Sequence, residues 1–392
     1  MQSEQTPTID QERQDRAREY ARIRRRLMLL QLLGGAAYVL LWILLGWATD
    51  LRALLTSGAS GGLLPFEPHW TLQVVLFTLG FGLPWSITTL PLSYYSGFVL
   101  PHRYDQSTQT LREWIWDGVK STLISLVIGM PLLLGLYALL RTSGDAWWLW
   151  AAAGYTFFGV VLTSLAPVLL MPIFYELKPL ADDRQDLAER LIDLAQQVGT
   201  RVEGVYKIDM SRRTKAANAA LAGLGRTRRI LLGDTLLENF TPDEIETILA
   251  HELGHHVHRD IPLGIAAQTV FNFVSFYIGA LVLDRAVGTF GLQGVGDPAG
   301  LPALTLVLSI VGLVSMPITN HYSRWRESMA DDFALRQTAN PRAFASAMTR
   351  LANQNLAQID PPRWVVLLLS SHPPLRDRIQ KAEAYLKSVE AG

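Results

Sequence analysis

The chain has 392 residues, of which 35 are Lys or Arg and 35 are Asp or Glu, and only 18% are charged. Since 49% are hydrophobic and the mean hydropathy is positive, the composition excludes intrinsic disorder, and the zero net charge predicts no nucleic-acid partner. The absence of cysteine excludes disulfides, thiolate metal ligands and a cysteine nucleophile, so any metal must be held by His and carboxylates.

Six long uncharged blocks predict a predominantly α-helical, polytopic protein with about six transmembrane helices. Each block approaches or exceeds the roughly 18 apolar residues that are typical of a membrane span. A single block of this kind would be explained as a buried core helix, but six in one chain favour membrane spans. The lipid bilayer is therefore an expected partner. The blocks are 27–48, 70–92, 121–140, 147–170, 261–283 and 301–319.

The distribution of arginine predicts the orientation of these spans. Residues 1–26 form a basic N-terminal tail with seven arginines, and cytoplasmic flanks of membrane proteins are enriched in Lys and Arg. With this tail in the cytoplasm, the chain returns there after the fourth and sixth blocks. We therefore predict a four-span membrane domain over 27–170. A charged cytoplasmic unit over 171–392 follows, interrupted by spans at about 261–283 and 301–319.

Short α and β signals fill the first charged segment. Apolar residues at helical spacing predict a helix over 181–198, and the patterns over 204–210 and 229–232 predict two short strands. Thr241, Pro242 and Glu244 then predict a helix start, as N-cap, first-turn proline and capping-box acid. The buried stripe of that helix is predicted to consist of Ile245, Ile248, Leu249 and Leu253.

This capped helix contains the sequence His251-Glu252-Leu253-Gly254-His255. Residues four apart share one helical face, so His251 and His255 are predicted to bind the same metal ion. Zinc suits two imidazoles and a carboxylate, with the fourth position left to water. Glu252 lies beside the pair and is predicted to be the general base that takes a proton from this water.

A second helical segment, SRWRESMAD over 323–331, supplies the missing carboxylate. Glu327 and Asp331 are again four apart, which predicts Glu327 as the third zinc ligand. Asp331 is predicted to accept the second ring N–H of a ligand histidine, with Asp332 as the weaker candidate for that role. The alternative is a solvated charged face beside Arg324 and Arg326, which the upstream histidine motif disfavours.

Four stretches in this order resemble the membrane-integral zinc endopeptidases of the CaaX prenyl protease type 1 family, within the gluzincin metallopeptidases. They are residues 218–225 with RRILLGDTLL, the HELGH helix, SRWRESMAD, and 371–379 beginning SHPP. Residues 94–98 (YYSGF) and 102–109 (HRYDQSTQ) are also similar to the membrane domain of that family.

The resemblance implies a cytoplasmic gluzincin-like α+β zinc protease domain and further site residues. Asn218 and Ala219 would lie on an edge strand that binds the substrate backbone by β-augmentation. His372 would stabilise the oxyanion of the tetrahedral intermediate, with electrostatic support from Arg378. His256 and His258 are not at ligand spacing and are assigned to the surroundings of the site.

Together these features predict a zinc metalloendopeptidase that holds one zinc per chain and cleaves peptide or protein substrates near the cytoplasmic membrane face. Arginine usage, short loops and the lack of cysteine favour a bacterial inner membrane, with both termini and the active site in the cytoplasm. Eukaryotic members are described with seven spans and this chain has six, so its substrates remain open between prenylated CaaX proteins and peptides or damaged membrane proteins. The oligomeric state is left open.

Two alternatives come from other classes. A zinc-stabilised membrane scaffold or adaptor without proteolysis would normally have four protein ligands, whereas the sequence offers three and a base. A transporter would usually carry ionisable residues in its spans, and none of the six blocks has one near its middle.

Overall fold

The computed structural model describes residues 7–58, 61–180, 184–223 and 228–391, and these are mostly helical. The N-terminal half contains seven helices among its described residues. They are α1 (Gln11–Leu44), α2 (Trp47–Thr56), α3 (Trp70–Tyr94), α4 (Leu100–Arg103), α5 (Leu111–Thr142), α6 (Trp147–Leu169) and α7 (Met171–Phe174).

The second half combines eight helices with a small sheet in the described residues. The helices are α8 (Gln185–Gln197), α9 (Asp234–Asn239), α10 (Pro242–Val257), α11 (Asp260–Thr289), α12 (Leu301–Thr338), α13 (Pro341–Gln354), α14 (Arg363–Leu369) and α15 (Leu375–Glu390). The strands are β1 (Leu177–Pro179), β2 (Gly204–Ile208), β3 (Ala219–Ala222) and β4 (Arg229–Gly233).

The prediction of about six transmembrane helices is confirmed. Among the described residues, six helical segments are long and apolar enough to cross a membrane, and they are built on α1, α3, α5, α6, α11 and α12. The first begins earlier than its apolar block, because the Asp10 side chain accepts a hydrogen bond from the Arg13 N–H and caps a helix at Gln11. Most of the basic tail is therefore helical and continuous with the first span; residues 1–6 lie outside the described part.

The sheet has the order β1-β2-β4-β3, so β3 lies at one edge. β2 and β4 are parallel, with Gly204 opposite Arg229, and the two outer pairs are antiparallel. The strands predicted over 204–210 and 229–232 are confirmed as β2 and β4. The helix predicted over 181–198 is α8, although residues 181–183 of that prediction lie outside the described residues.

Two of the three hydrophobic cores in the described residues contain opposite ends of helix α12. One joins the sheet with α8, α10, α13 and α15, and its fully buried residues include Leu191, Ile230 and Phe344; we call this part the sheet unit. The other gathers the far ends of the spanning helices around side chains such as Phe77 and Trp147. The single 38-residue helix α12 connects them, because its first turn packs in the far core and Ala334 packs in the sheet unit.

Candidate metal centre

Helix α10 is fixed at its start by the predicted capping box. The Thr241 hydroxyl accepts from the Glu244 N–H at 3.3 Å, and the Glu244 carboxylate accepts from the Thr241 N–H at 2.8 Å. The predicted stripe is buried in the sheet unit, which turns His251 and His255 toward α12. Gly254 permits this contact, since a Cβ there would lie only 3.1 Å from the Ala330 Cα of α12.

The structure brings His251, His255 and Glu327 together. The two histidine Nε2 atoms are 3.2 Å apart. His251 Nε2 lies 3.2 Å from Glu327 Oε2, and His255 Nε2 lies 3.5 Å from Glu327 Oε1. A tetrahedral zinc ion with bonds of about 2.0 to 2.1 Å holds its ligand atoms about 3.3 Å apart. The Nε2–Nε2 distance and the His251–Glu327 distance are close to this value, and one ligand atom from each of the three residues lies within 4.8 Å of the others, so the group could hold one metal ion.

The outward nitrogen of His251 faces a buried ion pair. Asp331 Oδ1 lies 2.9 Å from His251 Nδ1, and Asp331 also accepts two hydrogen bonds from Arg378, at 2.6 and 2.9 Å. Asp331 thereby faces the histidine that is predicted to be a metal ligand, and Arg378 lies directly behind it. Asp332 instead forms a salt bridge with Lys381 at 2.8 Å and points away from the histidines.

The outward nitrogen of His255 has a partner that the sequence analysis missed. Asp260 Oδ2 lies 2.7 Å from His255 Nδ1, and Arg326 binds the other oxygen of Asp260 while donating to the His258 carbonyl at 2.6 Å. Arg259 makes this possible, because its left-handed φ of 57° turns the chain sharply between α10 and α11. The only sequence signal was an acidic residue just ahead of the fifth apolar block.

Glu252 and His372 are the two predicted catalytic residues beside this centre. Withdrawal from water raises the pKa of the Glu252 carboxyl, although neighbouring His251 and His255 oppose the shift. His372 belongs to the loop between α14 and α15, and its Nε2 lies 3.3 Å from Glu327 Oε1. Its side chain is 62% exposed, so it faces the open mouth of the centre rather than its buried floor.

Asn218 and Ala219 are at the start of the edge strand β3. Ala219 pairs with Leu232 of β4, and the Asn218 carbonyl accepts from the Gly233 N–H at 2.9 Å. Among the described residues, no strand pairs with the other edge of β3. The edge strand implied by the resemblance is therefore present, and β3 packs against α10, which carries the two histidines.

The remaining histidines of this region stay outside the cluster. The His258 ring packs edge-on against Phe333, and its backbone carbonyl receives Arg326. Burial lowers the pKa of both His256 and His258, which keeps these rings neutral. Their positions agree with the expectation that they surround the centre without binding its metal.

Comparisons with known proteins decide the family. Residues 181–386 match the family model of peptidase family M48, and residues 2–176 match the family model described as CAAX prenyl protease N-terminal, five membrane helices. The chain belongs to peptidase family M48. Consistently, it is 33% identical to an uncharacterized metalloprotease, YhfN, of Bacillus subtilis, over 84% of this chain and 79% of that one.

Other similar proteins are the CAAX prenyl protease 1 homolog of Arabidopsis thaliana and CAAX prenyl protease 1 of Saccharomyces cerevisiae. The plant protein is 29% identical over 84% of this chain and 79% of its own. The yeast protein is 27% identical over 95% and 86%. The crystal structure of S. mikatae Ste24p has the same fold, with a TM-score of 0.83, 24% identity and coverage of 97% and 93%.

This M48 member is a membrane metalloendopeptidase, as the sequence predicted, and the scaffold without proteolysis is not favoured. One detail differs from the N-terminal family description. The described residues up to 176 contain four helices of spanning length rather than five. The remaining long helix, α2, has ten residues and is about 15 Å long, half the thickness of the hydrocarbon layer.

Proposed function

We propose that this protein is a zinc endopeptidase in which His251, His255 and Glu327 bind one zinc ion per chain. The observation that carries the proposal is the clustering of one ligand atom from each of the three residues within 4.8 Å, with the two Nε2 atoms 3.2 Å apart and His251 Nε2 3.2 Å from Glu327 Oε2. The carboxylates of Asp331 and Asp260 support it, because each faces the outward nitrogen of one histidine and favours the tautomer that leaves Nε2 free.

The zinc ion and the residues around it would each have a separate role in peptide-bond hydrolysis. Zinc, when bound, supplies Lewis acidity for the scissile carbonyl and for the attacking water. Glu252 takes the proton of that water and delivers it to the leaving nitrogen, and the withdrawal from water that raises its pKa favours the first of these transfers. His372, at the exposed mouth, donates a hydrogen bond to the carbonyl oxygen as its negative charge develops.

Arg378 acts through the ligand shell rather than on the substrate. Its guanidinium is only 9% exposed, and its Nη2 lies 2.6 Å from Asp331 and 3.3 Å from His251 Nδ1. The positive charge therefore keeps Asp331 ionised, and the ionised carboxylate holds the His251 ring in place. The electrostatic support that the resemblance implies for Arg378 would therefore consist of positioning His251 through Asp331.

We assign substrate binding to the free edge of β3, beginning at Asn218 and Ala219. An extended peptide that pairs with this edge would run past α10 and present one of its carbonyls to the metal centre. The relatives named CAAX prenyl protease 1 act at a CAAX sequence by name, whereas YhfN is named only as a metalloprotease. We therefore propose peptides and membrane proteins as the substrate class, without a requirement for a prenyl group.

Glu252→Gln tests the catalytic assignment. The amide cannot accept a proton, so hydrolysis of an unfolded protein substrate should fall by at least about two to four orders of magnitude, while one zinc per chain remains. Glu246→Gln is the matched control, since Glu246 lies on the same helix but pairs with Arg190 in the sheet unit. Cleavage by purified Glu252→Gln protein would overturn the assignment.

The active site is further proposed to face the cytoplasm of a bacterial inner membrane. The arginines that precede the first span favour this orientation. The chain contains no cysteine, so single cysteines introduced at exposed sites report topology directly. Ser57→Cys should react with an impermeant maleimide in intact cells, and Ser388→Cys only after permeabilisation; the reverse pattern would refute the orientation.

A further inference from the structure

A polar stripe runs from the metal centre into the membrane along one face of α11. Asp260, Gly264, Gln268 and Asn272 follow one another at intervals of four residues. With a rise of 1.5 Å per residue, the stripe is about 18 Å long, more than half of the hydrocarbon thickness. Two uncharged amides at this depth are unusual, and the catalytic centre does not use them.

The stripe is one wall of a groove between α6 and α11. The groove has a volume of about 690 Å³ and begins at His255 and Asp260 of the metal centre. Gly159 of α6 and Gly264 of α11 both line it, and a Cβ added to either glycine would meet no atom within 4 Å. Two glycines thus leave space open beside the catalytic residues.

Amide groups line the deep end of this α6–α11 groove. Asn272 is only 4% exposed and donates to the Thr156 hydroxyl at 3.0 Å, and its own oxygen accepts from the Gln268 amide at 2.8 Å. Gln268 is exposed toward the groove, and its amide oxygen accepts no hydrogen bond from the described residues. An acceptor is therefore presented to whatever occupies the groove.

The groove is continuous with the edge strand β3. A second cavity, of about 680 Å³, is lined by residues 220–223 of that edge and shares Val160, Thr163, Ile261 and Ile265 with the first. The space beside β3 and the space between the helices therefore form one path. A chain paired with β3 can continue past the metal centre and into the membrane without leaving the protein surface.

We propose that the α6–α11 groove binds an extended apolar segment of the polypeptide substrate, on the side of the scissile bond that enters the membrane. Non-helical backbone is tolerated at membrane depth only where protein or water satisfies its polar groups. Gln268 supplies such a partner for a backbone N–H, while Val160, Ile261 and Ile265 contact apolar side chains. At about 3.3 Å per residue, 18 Å accommodates five or six extended residues.

This inference rests on the proposed peptidase function, and the first test compares two lengths of substrate in liposomes. The probes are a fluorogenic decapeptide that the wild-type protein cleaves, and the same peptide with six leucines added at one end or the other. Gly264→Leu places a larger side chain in the groove, at a position where an added Cβ would meet no atom within 4 Å. It should lower kcat/KM for one extended peptide at least tenfold more than for the decapeptide.

Gly288→Leu is the matched control, because Gly288 lies near the far end of the same helix and a Cβ added there would also meet no atom within 4 Å. This variant should leave the ratio of kcat/KM between each extended peptide and the decapeptide unchanged. Equal losses on all peptides with Gly264→Leu, or no loss on any, would overturn the groove as a substrate site.

A binding measurement separates this inference from the catalytic assignment. In the Glu252→Gln background, a photoreactive residue at position 268 should cross-link the leucine extension, while one at position 270 should not. Val270 is 66% exposed and lies on the opposite side of α11. Absence of cross-linking at 268 would refute the groove even if Glu252 proves essential; cleavage by Glu252→Gln would refute the catalytic role and leave the cross-linking result standing.

Discussion

The sheet unit and the membrane layer of six spanning helices use their apolar residues in opposite ways. In the sheet unit, side chains such as Leu191, Leu249 and Phe344 are fully buried. In the spans, only 6 to 28% of each most apolar window is buried, and residues such as Ile318 are more than 70% exposed. Lipid is as apolar as leucine, so outward-facing residues are stable there without protein contacts.

The difference shows where specificity comes from in each region. The sheet unit is stabilised by a dense core that excludes water. The hydrophobic effect that stabilises such a core is strong but has no directional preference. The helices of the membrane layer share the far core and also meet through close approaches and polar contacts, such as Gly279 against Leu304 and Asn272 against Thr156. The proposed metal centre lies where the two regions meet, since its three residues come from the sheet-unit helix α10 and the spanning helix α12.

The largest expected effect is a loss of stability when one partner is removed from a buried ion pair, either Arg378–Asp331 beside the sheet unit or Arg52–Asp297 beside the far core. Arg378→Met and Arg52→Met each leave a carboxylate, Asp331 or Asp297, that is at most 1% exposed. Removing one partner of such a pair costs about 3–5 kcal/mol. We expect both variants to unfold more readily in mixed micelles, but only Arg378→Met to lose zinc. Equal zinc contents would show that Arg378 does not support the ligand shell.

Next in size is the contrast between a core leucine and a lipid-facing valine. Leu249→Ala should lower the free energy of unfolding by about 2–5 kcal/mol, because it leaves a cavity in the sheet unit. Val314→Ala, at a site 69% exposed toward lipid, should change it by less than about 0.5 kcal/mol. Reversible denaturant titration measures both, and similar losses would remove the distinction drawn between the regions.

A smaller effect, on zinc affinity, is expected from Asp260→Asn at the boundary between the sheet unit and the membrane layer. The amide no longer carries the charge that holds His255, so zinc affinity should fall about 10- to 100-fold. Competition with a fluorescent chelator measures this, and Asp332→Asn is the control, because Asp332 pairs only with Lys381. An unchanged zinc affinity in Asp260→Asn would show that Asp260 does not support the metal site and serves only the structure at the start of α11.

The smallest expected effect concerns the protonation of the His251 ring in the metal-free protein. Burial alone would lower the pKa of His251, but hydrogen bonds to Asp331 and Glu327 outweigh it and raise the pKa to about 9. The ring then stabilises the metal-free fold fully below about pH 6.5, and this contribution is lost as the pH rises through 9.

Zinc must displace that proton from the ring. Binding at pH 7.5 should therefore release about one proton, which calorimetry in buffers of different ionisation enthalpy detects. His256→Gln should release the same number, since His256 lies outside the ligand cluster. Zinc binding without proton release would show that His251 is already neutral in the metal-free protein.

The sequence predicted the spans and the histidine helix well, because both depend on local patterns. Apolar length identifies a span whatever surrounds it, and His251 and His255 share a face in any helix. The ends of spans were less accurate: α5 begins at Leu111, ten residues before its apolar block, because Thr110 and Glu113 form a capping box in the polar region.

What the sequence could not predict depends on chain reversals and distant contacts. Asp260 reaches His255 only because Arg259 adopts a left-handed conformation, which no side-chain pattern around it indicates. The α6–α11 groove likewise requires two glycines, far apart in sequence, to face each other across two helices. The edge position of β3 was expected only from the family resemblance, since four residues of Ala and Leu carry no signal of their own.

The division of the proposed ligands between α10 and α12 sets an order of events during synthesis. The ribosome completes His251 and His255 before α11 and the first half of α12, both of spanning length, have emerged, and Glu327 comes only after them. A nascent chain therefore lacks the complete set of proposed ligands until its last span has been made. Synthesis of the last span is thus the step that completes the proposed ligand set, and a chain truncated before residue 327 would lack its third member.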